Sequence, residues 1–245
     1  ETSVLGIWNG RELRCSRHGV TGTLEASQVI ISTGARERSI PFPGWTLPGV
    51  MTAGGAQIFV KTYRVRPGNK ALVAGTGPLL LVVSNQLRKA GVEVTAVLEA
   101  AKPRFSLDRL TKVWGEWGLL KDAWTYWRGL RSAGIPYLFG HTVFEAHGTD
   151  RLQAVTFGKV GEEHWQPDRT TAKRADVDLL VVGFGLVPNT ELTSLAGCRH
   201  EYVDKLGGWV PTRDEHMRTS VPGVFAVGDG AGVAGALVAL EEGRI

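Results

Sequence analysis

Cysteine is nearly absent: Cys15 and Cys198 are the two in 245 residues, and no C-x-x-C occurs. A zinc knuckle and a redox-active dithiol therefore have no carrier in this sequence. Isolated thiols of this kind are expected to be buried and inert in a reducing, cytoplasmic setting. The six histidines show neither H-E-x-x-H nor a His–Cys ligand spacing, so no metal is assigned. No signal peptide is expected in these residues, and no apolar run among them is long enough to span a bilayer. Leu79-Leu80-Leu81-Val82-Val83 gives way at once to Ser84-Asn85-Gln86. Excess charge is also lacking. The net charge is +4, and Arg11, Arg36, Arg64, Arg88, Arg104, Arg128 and Arg174 are scattered rather than gathered in a stripe, so no nucleic-acid partner is expected. No tandem repeat or low-complexity tract is found. Finally, the chain opens on Glu1-Thr2-Ser3 without an initiator methionine and stops at Arg244-Ile245 beside a helix-like run. A piece of a longer polypeptide is expected.

What is abundant is glycine, at 32 residues. Short strands are predicted at Val4 to Trp8, Arg11 to Arg17 and Gly22 to Leu24, joined by turns at Asn9-Gly10 and His18-Gly19. Val29 to Ala35 reads as a buried strand that ends at a glycine. The Pro/Gly-rich stretch from Ile40 to Val50 leaves no room for a helix, and Gly54 to Val65 reads as one. A fresh α/β unit then starts: strand Lys70 to Ala74, turn Gly75-Thr76-Gly77, helix Pro78 to Ala90, strand Val92 to Glu99. Arg104 to Ala133 reads as helix broken by Gly115, Gly118 and Gly129, and three strands are expected between Ile135 and Phe157. Gly161 to Ala175 is polar and loop-like. Val177 to Gly183 is a strongly buried strand, Gly185 to Asn189 a reversal, and Trp209-Val210 and Val224 to Val227 are short strands before a helix at Ala236 to Gly243.

Four segments carry chemistry. Gly75-x-Gly77-x-x-Leu80 follows a strand and opens a helix, the place of a dinucleotide turn. The first glycine permits the turn, the second lets backbone N–H groups meet a pyrophosphate, and the helix N-terminus adds partial positive charge. Leu80 replaces the third glycine, which predicts looser helix–strand packing, and Pro78 removes one donor. The alternative is a strand–turn–helix without a ligand. Glu99 closes the next strand, where a carboxylate accepts from a ribose hydroxyl and repels a 2′-phosphate. That favours NAD over NADP, with Lys102 and Arg104 nearby as counterweights; a solvated strand end is the alternative. Val224-Phe225-Ala226-Val227-Gly228-Asp229 places a glycine and an acid at the carboxyl end of a buried strand, where ligands of open α/β sheets bind. Gly228 would admit a ligand close to the backbone and Asp229 would meet a hydroxyl-bearing molecule. Ile31-Ser32-Thr33-Gly34-Ala35 repeats the strand-end glycine, its alternative being a plain strand-to-loop transition. Trp114, Trp117, Trp124 and Trp127 share one helical side and read as core or subunit contact rather than cofactor stacking.

The order of these segments, with Gly183-Phe184-Gly185-Leu186-Val187-Pro188-Asn189 between the second and the last, resembles the pyridine-nucleotide-disulfide-oxidoreductase-type flavoproteins. More narrowly, Ala35 to Arg38 with Pro41 to Val50, and Gly207 to Pro211 with Asp214 to Ser220, are similar to the large FAD subunits of opine oxidases, hydroxyproline dehydrogenases and hydrogen cyanide synthases. The resemblance implies an α/β fold of two nested Rossmann-like, three-layer ββα dinucleotide-binding domains, the first incomplete. Residues 1–67 and 196–245 would form the FAD-binding domain, and residues 68–195 an inserted NAD-type domain. Thr33 and Gly34 would touch the adenosine side of FAD, and Gly228 and Asp229 its ribityl chain. Gly75, Thr76, Gly77, Glu99 and Gly183 would line the site for NAD or another adenine nucleotide. The N-terminal flavin turn, the iron–sulfur cysteines and the C-x-x-x-x-C or C-x-x-C pair of such proteins are missing from these residues, so weak FAD retention and no dithiol chemistry are expected. The function implied is oxidation of a secondary amine or amino-acid-derived substrate by hydride transfer to flavin. The partners implied are an iron–sulfur acceptor and a smaller flavoprotein subunit. An NADH-dependent reductase of a small redox protein and a non-catalytic nucleotide-binding scaffold are the competitors. No catalytic residue is named.

Overall fold

The computed structural model describes residues 2–102, 117–161 and 166–245. Two compact units emerge, one from residues 1–36 and 186–245, the other from residues 37–185.

The second unit is built on a five-stranded parallel sheet. Its strands are β6 (Val50–Thr52), β7 (Lys70–Gly75), β8 (Glu93–Glu99), β9 (Tyr137–Phe139) and β13 (Leu179–Gly183), in the order β6-β13-β7-β8-β9. The central strands are covered on both faces, as their continuous apolar runs require. Alternate residues feed two separate cores. Ala71, Val73, Val97 and Val181 point to α1 (Ala53–Ile58), α2 (Leu79–Lys89) and α3 (Trp117–Ser132), whose Leu80, Val83, Leu87 and Leu130 close that layer. Leu72, Ala74, Leu98 and Leu180 point the other way, to Val143, Val155 and Phe157 of an antiparallel sheet. That sheet is β10 (His141–His147), β11 (Ala154–Lys159) and β12 (Lys173–Asp176), so the unit has the expected ββα layering.

Several local expectations are corrected. Gly118 and Gly129 do not break α3; both lie inside it. A Cβ at Gly129 would sit 2.5 Å from Asn85 Oδ1, while Asn85 Nδ2 donates to the Tyr126 and Leu81 carbonyls, both at 2.9 Å. Gly129 is thus the point where α3 approaches α2. The helix expected at Gly54 to Val65 is α1 followed by a π-helical turn (Phe59–Tyr63) that ends on Arg64 in the left-handed region. The polar stretch expected as loop contains β12, an edge strand paired by backbone bonds that leave Lys173, Arg174 and Asp176 exposed. Gly115, Arg104 and Trp114 lie outside the described residues, as does the side chain of Trp117.

The first unit holds β1 (Ser3–Trp8), β2 (Glu12–Arg17) and β3 (Val20–Glu25) as an antiparallel sheet. Its parallel pair is β4 (Val29–Ile31) with β17 (Val224–Ala226). Ile7, Ile31, Cys198 and Val224 form its core. Cys198 is buried as expected, but Cys15 on β2 is only half-buried. β14 (Leu186–Pro188) replaces the expected reversal and pairs with β5 (Ala35–Glu37). β15 (His200–Val203), which polar residues hide in the sequence, pairs with β16 (Gly208–Pro211). The short helices are α4 (Glu191–Leu195) and α5 (Ala236–Glu242).

The units part at Arg36/Glu37 and Gly185/Leu186, whereas the sequence suggests boundaries after residues 67 and 195. Residues 37–67 belong with the second unit because β6 hydrogen-bonds to β13, Val50 opposite Leu180. Such a parallel pairing between distant residues leaves no local signature. Among the described residues no helix is long and apolar enough to cross a membrane.

Candidate functional site

In the second unit, three of the expected residues share one row. Gly183 pairs with Gly75, and Gly75 pairs with Glu99, at the carboxyl ends of β13, β7 and β8. Gly75 has no room for a side chain, since a Cβ would collide with the Gly183 carbonyl. That carbonyl accepts from Thr76 N–H at 2.8 Å, and the Gly75 carbonyl accepts from Ala100 N–H at 2.8 Å. The turn is therefore clamped between both neighbouring strands. Gly77 adopts φ +92°, and a Cβ there would meet nothing within 4 Å, so it faces open space. From this turn α2 departs, with Pro78 at its cap.

Leu80 does not loosen the packing as expected. It is fully buried in the helix-side core. A Cβ at Gly183 would sit 3.4 Å from Leu80 Cδ2 and 3.1 Å from Ala53 Cβ. The small residue needed for close helix–sheet approach has moved to the neighbouring strand.

Glu99 is not a solvated strand end; it is 6% exposed. Its Oε2 accepts from Gly77 N–H at 2.9 Å and from the Tyr137 hydroxyl at 3.1 Å. Its Oε1 accepts from Ala101 N–H at 3.1 Å. Burial, the Glu99 charge and the hydrogen bond to it push the Tyr137 phenol well above its ordinary range. Nothing in the sequence singles out Tyr137, because an aromatic on a three-residue edge strand carries no motif. Of the four tryptophans expected on one helical side, the two whose side chains are described differ: Trp124 is 66% exposed, while Trp127 packs its ring 5.1 Å from Tyr137 and 6.2 Å from Phe139.

In the first unit the strand ends of β4 and β17 lie side by side, Ile31 opposite Ala226. Val227 N–H donates to the Ile31 carbonyl at 3.0 Å. Beyond them, a Cβ at Gly230 would fall 2.8 Å from Thr33 Oγ1 and 3.1 Å from Gly34 N, so Thr33 and Gly34 press against the Gly228-Asp229-Gly230 turn. The Thr33 hydroxyl donates to the Asn189 carbonyl at 2.6 Å, and Asn189 Nδ2 returns a bond to the Thr33 carbonyl at 3.0 Å. Asp229 Oδ1 accepts from Ala234 and Gly235 N–H at 3.1 and 3.0 Å, which shapes the loop ahead of α5.

A clamp that sequence reasoning missed holds this turn. Glu242 on α5 accepts from Gly228 N–H at 2.7 Å and takes a bidentate pair from Arg213 at 2.8 and 2.6 Å. Arg213 also donates to the Ala226 carbonyl at 3.2 Å. Burial opposes ionisation of Glu242, but the Arg213 and Gly228 hydrogen bonds and the Arg213 charge outweigh it and hold its carboxyl below the usual range. Arg213 and Glu242 are far apart in sequence and neither belongs to a motif, so no signal pointed to them.

Both units thus present glycine turns at the carboxyl ends of parallel strands, each with an acid in hydrogen-bonding contact with backbone amides. The chain is 39% identical over 227 residues to the hydrogen cyanide synthase subunit HcnB of Pseudomonas aeruginosa, covering 91% of this chain and 47% of that protein. It is 33% identical over 232 residues to an opine oxidase subunit of Rhizobium meliloti, covering 93% of this chain and 42% of that protein. It therefore spans less than half the length of these curated relatives. Among solved structures, a NAD-dependent persulfide reductase from A. fulgidus superposes with a TM-score of 0.70 at 22% identity, over 100% of this chain and 43% of that one, a likeness of fold. Residues 1–243 match the pyridine nucleotide-disulphide oxidoreductase family, and the chain belongs to it.

Proposed function

We propose that this chain is part of a flavin-dependent oxidoreductase, with residues of the first unit holding FAD and the strand ends of the second holding NAD or another adenine nucleotide. The row Gly183–Gly75–Glu99 at the carboxyl edge of a parallel sheet carries the reading, because that edge is where open α/β sheets take ligands. The residues fit the group: Gly77 lies beside open space and the start of α2 adds partial positive charge. Gly75, Thr76 and Gly77 would meet a pyrophosphate, Gly183 would keep the floor of the site flat, and Glu99 would take a ribose hydroxyl. In the first unit, Asp229 would accept from the ribityl hydroxyls, Gly228 would let the backbone approach, and Thr33 and Gly34 would lie on the adenosine side. FAD, when bound, supplies the two-electron acceptor.

The substrate class we propose is a secondary amine or an amino-acid-derived compound of the opine or hydroxyproline type. The likeness to a protein of an opine oxidase supports it. Both named relatives are called subunits, which supports a partner chain, and we propose an iron–sulfur electron acceptor and a smaller flavoprotein subunit. The chain's own task is to orient the nucleotides and exclude water at the strand ends; no residue here is assigned as the base that deprotonates the amine.

Anaerobic spectroscopy of the full-length protein with its partner subunits tests this. Bleaching of the flavin band by an opine or a proline-type amine, and not by NADH, is the expected result. Bleaching by NADH alone would make the protein a reductase of a redox partner, and bleaching by neither would reduce this chain to a nucleotide-holding scaffold.

A further inference from the structure

Tyr137 reaches Glu99 from a different strand than the glycine turn does. β9 runs parallel to β8 with Val97 opposite Tyr137 and Glu99 opposite Phe139. Tyr137 therefore lies diagonally across from Glu99 on the same face of the sheet. Its ring packs against Trp127 at 5.1 Å and Phe139 at 4.9 Å. The carboxylate it meets is almost wholly buried.

A carboxylate has about four acceptor positions. Among the described residues, Oε2 takes two donors, Gly77 N–H and the Tyr137 hydroxyl, and Oε1 takes one, Ala101 N–H. Among these residues the open position lies on Oε1. Without the Tyr137 hydroxyl, one amide would remain on each oxygen, Gly77 on Oε2 and Ala101 on Oε1, and the terminal torsion, which is soft, would be held less tightly.

We infer that Tyr137 is a positioning residue for nucleotide selection: by locking Oε2 of Glu99 it presents one fixed acceptor to a ribose hydroxyl and keeps a fixed negative charge where a 2′-phosphate would have to sit. This rests on the nucleotide reading of the second unit. It assigns the discrimination between unphosphorylated and 2′-phosphorylated adenosine to a pair of residues on two strands rather than to the acid alone.

The test is calorimetric titration of the full-length protein with NADH, NADPH and ADP-ribose, for the wild type, Tyr137→Phe, Glu99→Gln and the double variant. Tyr137→Phe should weaken NADH and ADP-ribose about fivefold, the loss of one charge-assisted hydrogen bond. It should leave NADPH within about twofold, so that the preference for NADH narrows. In the Glu99→Gln background the same change should alter the preference by less than about twofold, since the two residues act as one. An unchanged NADH-to-NADPH ratio in Tyr137→Phe, with thermal stability retained, would make the phenol a packing element only and overturn the inference while sparing the nucleotide site. Additive effects in the double variant would overturn it as well. A wild-type protein that binds none of the three nucleotides would remove the nucleotide reading itself.

Discussion

The two units set the same kind of turn on sheets of different width. In the second, the Gly75 turn sits on five parallel strands whose central members are buried on both faces. In the first, the Gly228 turn follows a parallel pair of two strands, where Ile30 is 68% exposed and Leu237 on the following helix 80% exposed. The wide sheet holds its turn with backbone on two strands, Gly183 and Ala100 locking Thr76 and Gly75 from either side, and with one side chain, Glu99 on Gly77. The narrow one holds its turn with side chains: Glu242 on Gly228, Arg213 on Glu242, Asp229 on Ala234 and Gly235, Asn189 on Thr33.

That contrast can be broken, and the largest effect is expected in the second unit. Gly75→Val would drive a branched side chain into the Gly183 carbonyl, and a loss of about 4 kcal/mol or outright unfolding of residues 37–185 is expected by hydrogen exchange. Wild-type protection of β7 in that variant would mean that the backbone lock is dispensable. Leu87→Ala, at a fully buried position of α2, should cost about 3 kcal/mol in urea denaturation. In the first unit Arg213→Gln would leave Glu242 without its cation, and a loss of about 2 kcal/mol is expected, read as faster exchange of the Gly228 amide.

Acid sharpens the same difference. The Glu242 carboxyl is depressed in the folded protein, so its contribution is present above the ordinary carboxylate range and is lost as pH falls through its folded value. Between neutral and acid pH the wild type should lose more stability than Arg213→Gln, read from denaturation midpoints. Equal slopes for the two proteins would show that the clamp carries no linkage. The smallest effect is expected for Leu237→Ala: exposed on α5, it should change the stability of this 245-residue chain by less than about 0.5 kcal/mol, against the large cost at Leu87. A cost near that of Leu87 would mean that α5 is as well packed as α2.

Legibility follows the range of the interactions. Strand, turn and helix at Lys70 to Lys89 can be read because an apolar run, two glycines and a second apolar run lie within one stretch of sequence. Gly129 reads as a helix breaker because its purpose, contact with Asn85 on another helix, is not local. β12 and β15 escape a sequence reading because edge strands made of lysine, arginine, glutamate and tyrosine have no alternation of apolar residues to reveal them. Leu80 looks as if it should spoil the glycine pattern, and only the structure reveals that Gly183 on the neighbouring strand makes room for it.

By itself the sequence determined the local units: which runs are buried strands, where glycines allow the chain to turn, and that Glu99 and Asp229 stand near strand ends. Only the tertiary structure decided what surrounds those acids and their turns, because Tyr137, Arg213 and Glu242 reach the sites across strands and helices distant in the chain. Backbone conformation depends on neighbours in sequence, whereas the surroundings of a carboxylate depend on neighbours in space, and those exist only once the sheet has formed.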